Sequence, residues 1–304
     1  METTKRRIAK SLLTLRNGPA PSLPAPVEDK IASALALGEP IQLVLPAFPA
    51  KSPNQEKTLG ALPDLGEVLA LVRLQKLCNE IRAVYPPGAR LVICSDGRVF
   101  SDLVHVSDAD VNAYALGIRK IISANGLTDL STFNLEEVFP EATYDQMRAS
   151  LVDTSAQPLE RIREKVKSDV EWQKLFNGLH RFLFEDFLVL HGGLSRNGVR
   201  ALAKQQAYEV LQRSQAWSAL VAARFPKALR LSIHPQSRRS EKVPICMVPG
   251  RDTWMTPWHS VVLFDGGKYF LVKRREAETL GAHFAYSRSG HGYYFLGGRH
   301  AVGD

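Results

Sequence analysis

Short apolar runs alternate with segments of helical hydrophobic spacing in the first half of the chain. The apolar runs predict strands at Ile41–Leu45, Arg90–Ser95 and Asp129–Leu135, because each is short and bounded by turn-forming or polar residues. The segments between them predict two helices. One begins at Asp64 as N-cap and reaches about Val84, and the other runs from Asp108 to Ser123.

The middle of the chain has helical spacing, and the last third returns to short strands. The predicted helices are 141–151, 157–176, 178–190 and 197–223, with breaks at Gly178 and at Gly192-Gly193. The predicted strands are Leu229–Ile233, Val243–Val248, Ser260–Phe264 and Tyr269–Lys273, with a hairpin turn at Asp265–Lys268. The tripeptide from His191 to Gly193 favours a helix C-cap over an oxyanion hole, since no nucleophile motif accompanies it.

This order of elements predicts an α/β fold. We expect a Rossmann-like, mostly parallel sheet with helices on both faces, a helical middle segment, and C-terminal antiparallel strands that extend the sheet. The segment Gly18–Pro26 is rich in proline and small residues, which is typical of a linker. The expected organisation is therefore an N-terminal segment with linker over residues 1–26 and one α/β catalytic domain over residues 27–304.

Charge and cysteine content narrow the class of protein. The 304 residues carry a net charge of +8, which favours anionic partners. The basic residues form no continuous stripe and no nucleic-acid motif is present, so we expect a small anionic ligand and no nucleic acid. No apolar run is long enough to span a bilayer and no signal peptide is visible, which predicts a cytoplasmic protein without a membrane partner. The three cysteines lie far apart and suggest neither disulfides nor a zinc site.

Polar clusters follow the predicted strands, at the sheet edge where open α/β proteins bind ligands. Dinucleotide, P-loop and zinc-protease motifs are absent. The clusters are Pro46–Lys57, Ser95–His105, Ser232–Ser237 and Thr256–Ser260. Each alone is also compatible with an ordinary solvated loop, but their common position predicts one site. Histidines can exchange protons near neutral pH, and lysine and arginine can hold a phosphate or carboxylate.

Taken in order, these clusters resemble the pyoverdine/dityrosine biosynthesis superfamily and, more narrowly, the bacterial isonitrile synthases. The matching pieces are Leu45–Asn54 (LPAFPAKSPN), Lys57, Ser95–Phe100 (SDGRVF), Ser232–Gln236 (SIHPQ) and Thr256–His259 (TPWH). The resemblance covers roughly residues 40–300. It implies an enzyme that converts the α-amino group of tyrosine or tryptophan to an isonitrile, with tyrosine slightly favoured. The carbon would come from ribulose 5-phosphate as co-substrate, without a metal or redox cofactor.

The resemblance also implies a reaction course. The amine would condense with the sugar ketone to an imine, and proton transfers and carbon–carbon cleavage would leave the isonitrile. The expected acid–base residues are Asp96, His105, His234 and His259. The expected substrate-binding residues are Lys51, Lys57, Ser95 and Trp258, with Arg98 anchoring an anion or stabilising an oxyanion. An iron/2-oxoglutarate oxygenase is the expected pathway neighbour.

Other functions remain open from the sequence. A phosphosugar lyase or aldolase would use Lys51 or Lys57 as a Schiff-base residue. A basic nucleic-acid-binding protein would bind through its positive charge. A diverged family member would make an N-formyl amino acid instead of an isonitrile.

Overall fold

The structure, a computed structural model, describes residues 2–15, 22–234, 236, 240–251 and 254–297. The helices are α1 (Glu2–Thr14), α2 (Ala25–Leu37), α3 (Leu65–Arg82), α4 (Gly97–Phe100), α5 (Asp108–Ala124), α6 (Tyr144–Ser155), α7 (Leu159–Ser168), α8 (Val170–Leu190), α9 (Arg196–Arg224) and α10 (Arg274–Thr279). The strands are β1 (Ile41–Pro46), β2 (Ala89–Cys94), β3 (Leu130–Phe133), β4 (Leu229–Ser232), β5 (Val243–Pro244), β6 (Val261–Asp265), β7 (Lys268–Val272), β8 (His283–Tyr286) and β9 (Gly292–Leu296). Short 3-10 helices lie at Leu135–Glu137 and Pro257–His259.

The main sheet is parallel and has the order β3-β2-β1-β4-β5. Strand β1 lies at its centre, and both of its faces are buried at Leu43, Val44 and Leu45. Burial on both faces explains why this strand reads as a continuous apolar run. The chain order along the sheet reverses between β1 and β4, which makes their carboxyl ends a topological switch point.

Helices cover both faces of the main sheet, as the sequence predicts. On one face, α1, α2, α3 and α5 pack on the strands in the largest hydrophobic core. On the other face, α6 and α9 pack against Val44, Cys94 and Phe133, with Trp217 of α9 stacked on the ring of Phe133. Because the sheet is closed by apolar layers on both sides, ligands can reach it only from an end.

Local capping fixes where the predicted helices begin. Asp64 caps α3, accepting from the N–H of Gly66, and Glu67 completes the capping box. Helix α5 is capped by Ser107, whose hydroxyl accepts from the N–H of Asp110, so the expected cap at Asp108 is wrong by one residue.

The helical middle segment is confirmed, but one predicted break is misplaced. Gly178 lies inside α8 and does not interrupt it. The break falls at Asp169, whose carboxylate accepts from the N–H groups of Glu171 and Trp172 and so starts a new helix. Helix α8 ends at Leu190 with His191 as C-cap, which confirms the expected role of the glycine pair that follows. Helices α7, α8 and α9 pack on one another in a separate core.

Of the C-terminal strands, β4 and β5 extend the main sheet, but they pair in parallel and not antiparallel as predicted. Strands β6, β7, β8 and β9 do not extend it. They form a second sheet of order β7-β6-β9-β8, in which β6–β7 and β8–β9 are antiparallel and β6–β9 is parallel. The main sheet instead ends at β5, which is two residues long and contains Pro244. Proline has no N–H to donate, so a ladder is not continued there.

The N-terminal segment packs on the sheet domain through α1, whose Ile8 and Leu12 are fully buried in the main core. The predicted linker 18–26 lies partly outside the described residues, and its last two residues start α2. The division of the chain at residue 26 stays a prediction. Among the described residues, no helix combines the length and the apolar character that crossing a membrane requires.

We expect truncation of Ile93 to destabilise the fold strongly. Its side chain is fully buried in β2 beside the central strand, and Ile93→Ala would lower the free energy of unfolding by about 2–5 kcal/mol. Leu116→Ala, on the exposed face of α5, is the matched control and should change it by less than about 0.5 kcal/mol. Urea unfolding at one pH measures both, and equal losses would contradict the packing described.

Candidate active site

One large cavity lies at the switch point, beside the carboxyl ends of β1, β2 and β4. Its volume is about 730 Å³, within the usual range for ligand sites. The sheet contributes the segments that follow these strands, and α8 forms the opposite wall. Of the sequence-predicted site residues, those that line the cavity are Lys51, Lys57, Asp96, His234, Trp258 and His259.

The loops after β1 and β2 are held together at very short range. The Ser95 hydroxyl donates to the carbonyl of Phe48 at 2.9 Å. A Cβ on Gly97 would lie 2.0 Å from the carbonyl oxygen of Pro49, so only glycine allows this approach. Phe48 itself has φ 58°, a left-handed conformation that is uncommon for a non-glycine residue. The two sequence clusters therefore form one rigid edge of the cavity.

The TPWH cluster is joined to the same loop. The N–H of Ser52 donates to the carbonyl of Trp258 at 2.8 Å, and Lys51 Nζ donates to the carbonyl of Pro257 at 2.8 Å. The rings of Phe48 and Trp258 pack with centroids 5.2 Å apart. Trp258 is almost fully buried, so its indole supports the cavity wall more than it faces the cavity interior.

Asp186 on α8 binds the loop after β1 from the opposite side. Its carboxylate accepts from the Ser52 hydroxyl at 3.0 Å and from the Asn54 amide at 3.0 Å, and it pairs with Lys57 Nζ at 2.5 Å. Asp186 could not be identified as a site residue from the sequence, because this residue lies in an amphipathic helix that carries no motif. The only available signal was an acidic pair, Glu185-Asp186, beside apolar residues.

Lys51 lies in a buried ionic cluster. Its ammonium pairs with Asp64 at 2.7 Å and with Glu67 at 2.9 Å, and Tyr114 donates to Glu67 at 3.0 Å. Burial acts to lower the pKa of Lys51, but the two carboxylates outweigh it and the pKa is raised. Burial raises the pKa of Asp64 to about 8, against the opposing effect of Lys51. The lysine is therefore a charged structural centre whose hydrogen-bond donors are already in use.

Most other cations of the cavity are also paired. Lys57 pairs with Glu185 at 3.1 Å as well as with Asp186. Lys273 pairs with Glu185, and Arg275 bridges Glu185 and Glu56.

Arg181 on α8 differs from these paired cations. It lines the cavity, and no described residue forms an ion pair or hydrogen bond with its guanidinium. It is the cavity arginine that is available for an anionic ligand.

Asp96 presents an unpartnered carboxyl oxygen in the cavity wall. Its Oδ1 is buried and has no hydrogen-bond partner among the described residues. Burial raises the pKa of Asp96 to about 7. A carboxyl group with this pKa exchanges protons readily at neutral pH, which suits a general acid or base.

The two cavity histidines are held neutral. Burial, followed by the charge of Lys242, lowers the pKa of His234 to about 4, and its Nδ1 is buried without a described partner. Burial and the charge of Lys57 lower the pKa of His259 well below its ordinary value. His259 Nδ1 lies 3.1 Å from the Thr256 hydroxyl, which orients the ring. Both imidazoles are therefore neutral at neutral pH, and each is a weaker base than an ordinary histidine.

Three predicted site residues do not line the cavity. Arg98 is buried among Asp108, Glu136 and the amide of Asn112, with its guanidinium 3.5 Å from the ring centroid of Tyr144. Its charge is satisfied within the protein, so the expected anion-binding position is not found.

The other two residues face elsewhere. His105 lies between two cavity-lining residues, but its ring is directed to His191 and Phe187 at centroid distances of 4.8 Å. Ser95 uses its hydroxyl to hold the loop after β1. Neither residue contacts the cavity, and the expected roles of both in catalysis or substrate binding have no geometric support.

We expect Asp96→Asn to change the pH dependence of stability. Because the folded-state pKa of about 7 exceeds the ordinary value, Asp96 contributes stability below about pH 4 that is lost as the pH rises through 7. The asparagine variant lacks this loss. Its free energy of unfolding should match that of the unmodified protein near pH 4 and exceed it by about 2–4 kcal/mol at pH 8.

Urea unfolding at both pH values tests this expectation. The matched control is Asp153→Asn, an exposed position of α6 far along the chain from the cavity loops. The control should leave the difference between the two pH values unchanged. A gain for Asp96→Asn that is the same at pH 4 and pH 8 would contradict a raised pKa.

Comparison with known proteins identifies the family of this chain. L-tryptophan isonitrile synthase AmbI1 of Fischerella ambigua is 45% identical over 277 residues, which cover 91% of this chain and 85% of that protein. L-tyrosine isonitrile synthase of Pseudomonas aeruginosa is 44% identical over 276 residues, covering 90% and 84%. The crystal structure of the PvcA protein from Pseudomonas aeruginosa matches with a TM-score of 0.89 and 40% identity, covering 96% of this chain and 99% of that chain. Since the family model described as pyoverdine/dityrosine biosynthesis protein also matches residues 31–284, the chain belongs to that family.

Proposed function

We propose that the protein is an isonitrile synthase that acts on an aromatic L-amino acid and takes the isonitrile carbon from ribulose 5-phosphate. The names of the similar proteins support the activity and both aromatic substrates. The observation that carries the proposal is the carboxyl group of Asp96, unpartnered in the cavity wall with a pKa of about 7. No metal or redox cofactor takes part in the proposed reaction.

Imine formation requires a free amine, which makes Asp96 the proposed base. The α-amino group arrives as an ammonium, and Asp96 in its ionised form accepts the proton. The amine nitrogen then bonds to the ketone carbon of the sugar, and water leaves as the imine forms. Both carbon–carbon bonds of the former ketone carbon then break, which leaves that carbon on nitrogen as the isonitrile. The other sugar carbons and the phosphate depart, and protons are removed from carbon and oxygen in these steps. The neutral rings of His234 and His259 are the proposed acceptors.

The lining of the cavity suits an amphiphilic substrate. Phe182, Trp254 and Leu179 present apolar surface for an aromatic side chain. Arg181 is proposed to bind the α-carboxylate, since its guanidinium is not paired with a described residue and matches a carboxylate in a bidentate geometry. The paired lysines would act on developing oxyanions through their charge.

The lysine environments do not favour the lyase alternative. A Schiff-base lysine must lose its proton, but the pKa of Lys51 is raised by Asp64 and Glu67. Lys57 forms ion pairs with the carboxylates of Glu185 and Asp186, so its amine is already engaged within the protein. A sugar imine on the protein is therefore not required by the proposal, because the amino acid supplies its own amine.

The reaction is tested by incubating the purified protein with ribulose 5-phosphate and either L-tyrosine or L-tryptophan. We expect mass spectrometry to show an amino acid that has gained one carbon, and infrared spectroscopy to show an isonitrile stretch. When the ketone carbon of ribulose 5-phosphate carries an isotope label, the label should appear in the isonitrile product. Sugar consumption without a modified amino acid, or an N-formyl product, would overturn the proposal.

We expect Asp96→Asn to lower kcat by about 10²–10⁴-fold, the usual contribution of a general base. The amide is nearly isosteric and removes only the proton-accepting oxygen. The exposed Asp153→Asn should retain activity, and unchanged circular dichroism would show that both variants are folded. Turnover by Asp96→Asn within a factor of three of the unmodified enzyme would remove Asp96 from the mechanism.

We expect Arg181→Gln to raise the KM for the amino acid by about tenfold or more with a smaller change in kcat, because it removes binding energy shared by ground and transition states. Arg181→Lys should restore part of the affinity as a point charge without the bidentate geometry. Arg224→Gln, at the exposed end of α9, is the control. A rise confined to the KM for ribulose 5-phosphate would assign Arg181 to the other substrate.

A further inference from the structure

Two cations, Arg230 of β4 and Lys242, lie side by side in the main sheet, because the register pairs Leu231 with Val243. Neither lines the cavity, but His234, two residues beyond β4, does. Arg230 and Ser232 are two residues apart on β4, so their side chains lie on the same face of the sheet. Lys242 directly precedes β5, the neighbouring strand. Arg230 Nη2 donates to the Ser218 hydroxyl of α9 at 2.8 Å, while its Nε is buried without a described partner.

This pair of cations has no counter-ion in the described part of the chain. No carboxylate of a described residue lies within 4 Å of either side-chain nitrogen group, although the charge of Glu241 acts on Arg230 from farther away. Burial lowers the pKa of Arg230, and burial together with the charge of Arg230 lowers that of Lys242. Two partly buried cations that repel each other are costly unless an anion joins them.

A chain of hydroxyl and amide groups connects β4 to the backbone of Lys242. The backbone N–H of Lys242 donates to the Ser240 hydroxyl at 3.1 Å. The Ser240 hydroxyl donates to the side-chain carbonyl of Gln236 at 2.7 Å. Gln236 in turn donates to the Ser232 hydroxyl at 2.9 Å. The contacts of this network that join described residues use hydroxyl, amide and backbone groups, which are compatible with a bound anion.

His234 connects this cluster to the cavity. Its ring lines the cavity, its carbonyl accepts from Gln236 at 3.2 Å, and the charge of Lys242 lowers its pKa. A ligand with its anionic group at Arg230 and Lys242 would reach the cavity past His234. This arrangement differs from that of Arg181, which reaches the cavity from α8.

We propose that Arg230 and Lys242 form a binding site for a phosphate monoester dianion, which holds the sugar co-substrate by its phosphate end. The assignment of the ligand rests on the proposed function. Arg230 supplies a planar fork of N–H donors, Lys242 supplies a point charge, and the hydroxyls of Ser218 and Ser240 are close enough to add donors. The amino acid and the sugar phosphate then bind to different cations, and their reacting ends meet in the cavity.

The site is first tested with inorganic phosphate and the full-length protein. At about 10 mM phosphate we expect the thermal midpoint to rise by about 2–4 °C relative to chloride at equal ionic strength. Arg230→Gln and Lys242→Gln should abolish the rise. Neither should lower the midpoint in chloride, because each removes a cation without a counter-ion. Lys204→Gln, exposed on α9, should behave as the unmodified protein.

Steady-state kinetics then identify the phosphate compound. Both variants should raise the KM for ribulose 5-phosphate at least tenfold, with the KM for the amino acid unchanged and Arg230→Lys partly restoring affinity. Phosphate protection that survives in both variants would overturn the site. An unchanged KM for the sugar phosphate, with protection by inorganic phosphate lost, would also overturn the assignment to the co-substrate.

The two proposals fail in different ways. If the unmodified protein makes no isonitrile but loses phosphate protection in the variants, the anion site stands and the proposed reaction falls. If isonitrile forms and the variants retain normal kinetics, the reaction stands and the assignment of the anion site to the co-substrate falls. Lys242 is only half-buried, so the Lys242→Gln variant is expected to fold. It therefore provides the test even if the Arg230→Gln variant does not fold.

Discussion

The carboxylate of Asp186 joins the two parts of the molecule that enclose the cavity. It projects from α8 and receives three donors from the loop after β1, namely the side chains of Ser52, Asn54 and Lys57. The same loop is fixed on its other side by Trp258 and Ser95 through backbone carbonyls. A helix of the middle segment is thus bound to the sheet edge by a buried ionic contact, and the cavity has the shape that this contact allows. A buried carboxylate that is paired and hydrogen-bonded in this way favours one arrangement, because losing any of its donors would leave a buried polar group unsatisfied.

Burial has one consistent effect on the remaining groups of the site. The positive charges of Lys51 and Lys57 are balanced by neighbouring carboxylates in ion pairs. The overall net charge of +8 is therefore not concentrated at these two lysines. Where no partner compensates, desolvation favours the neutral form of each group. It raises the pKa of Asp96 and lowers those of His234 and His259. The pKa of Asp96 is therefore brought close to neutral pH, whereas the two imidazoles are kept neutral and are weaker bases than an ordinary histidine.

Structural features that depend on the local sequence pattern could be predicted from the sequence. The central strands, the cap of α3 at Asp64 and the approach of the strand-end clusters all follow from apolar runs and turn residues. Side-chain direction within a cluster could not be predicted, because Arg98 and Asp96 are two residues apart yet face different surroundings once α4 forms. Asp186 and Arg181 escaped notice for another reason. Helical periodicity predicts which face is buried, but not which charged residue on it meets a distant loop. The second sheet was also missed, since short strands do not reveal their partners and β5 stops at Pro244.

The link between Lys51 and the carbonyl of Pro257 joins positions separated by 206 residues. Contacts of such separation require most of the polypeptide to be present before they can form. During synthesis from the N-terminus, the loop after β1 emerges long before its partners on α8 and in the TPWH segment. Until then its lysines have neither Asp186 nor the Pro257 carbonyl to bind, and the cavity has no opposite wall. We therefore expect the site to be completed only after the TPWH segment has been synthesised, because the contact that this segment makes with Lys51 cannot form before then.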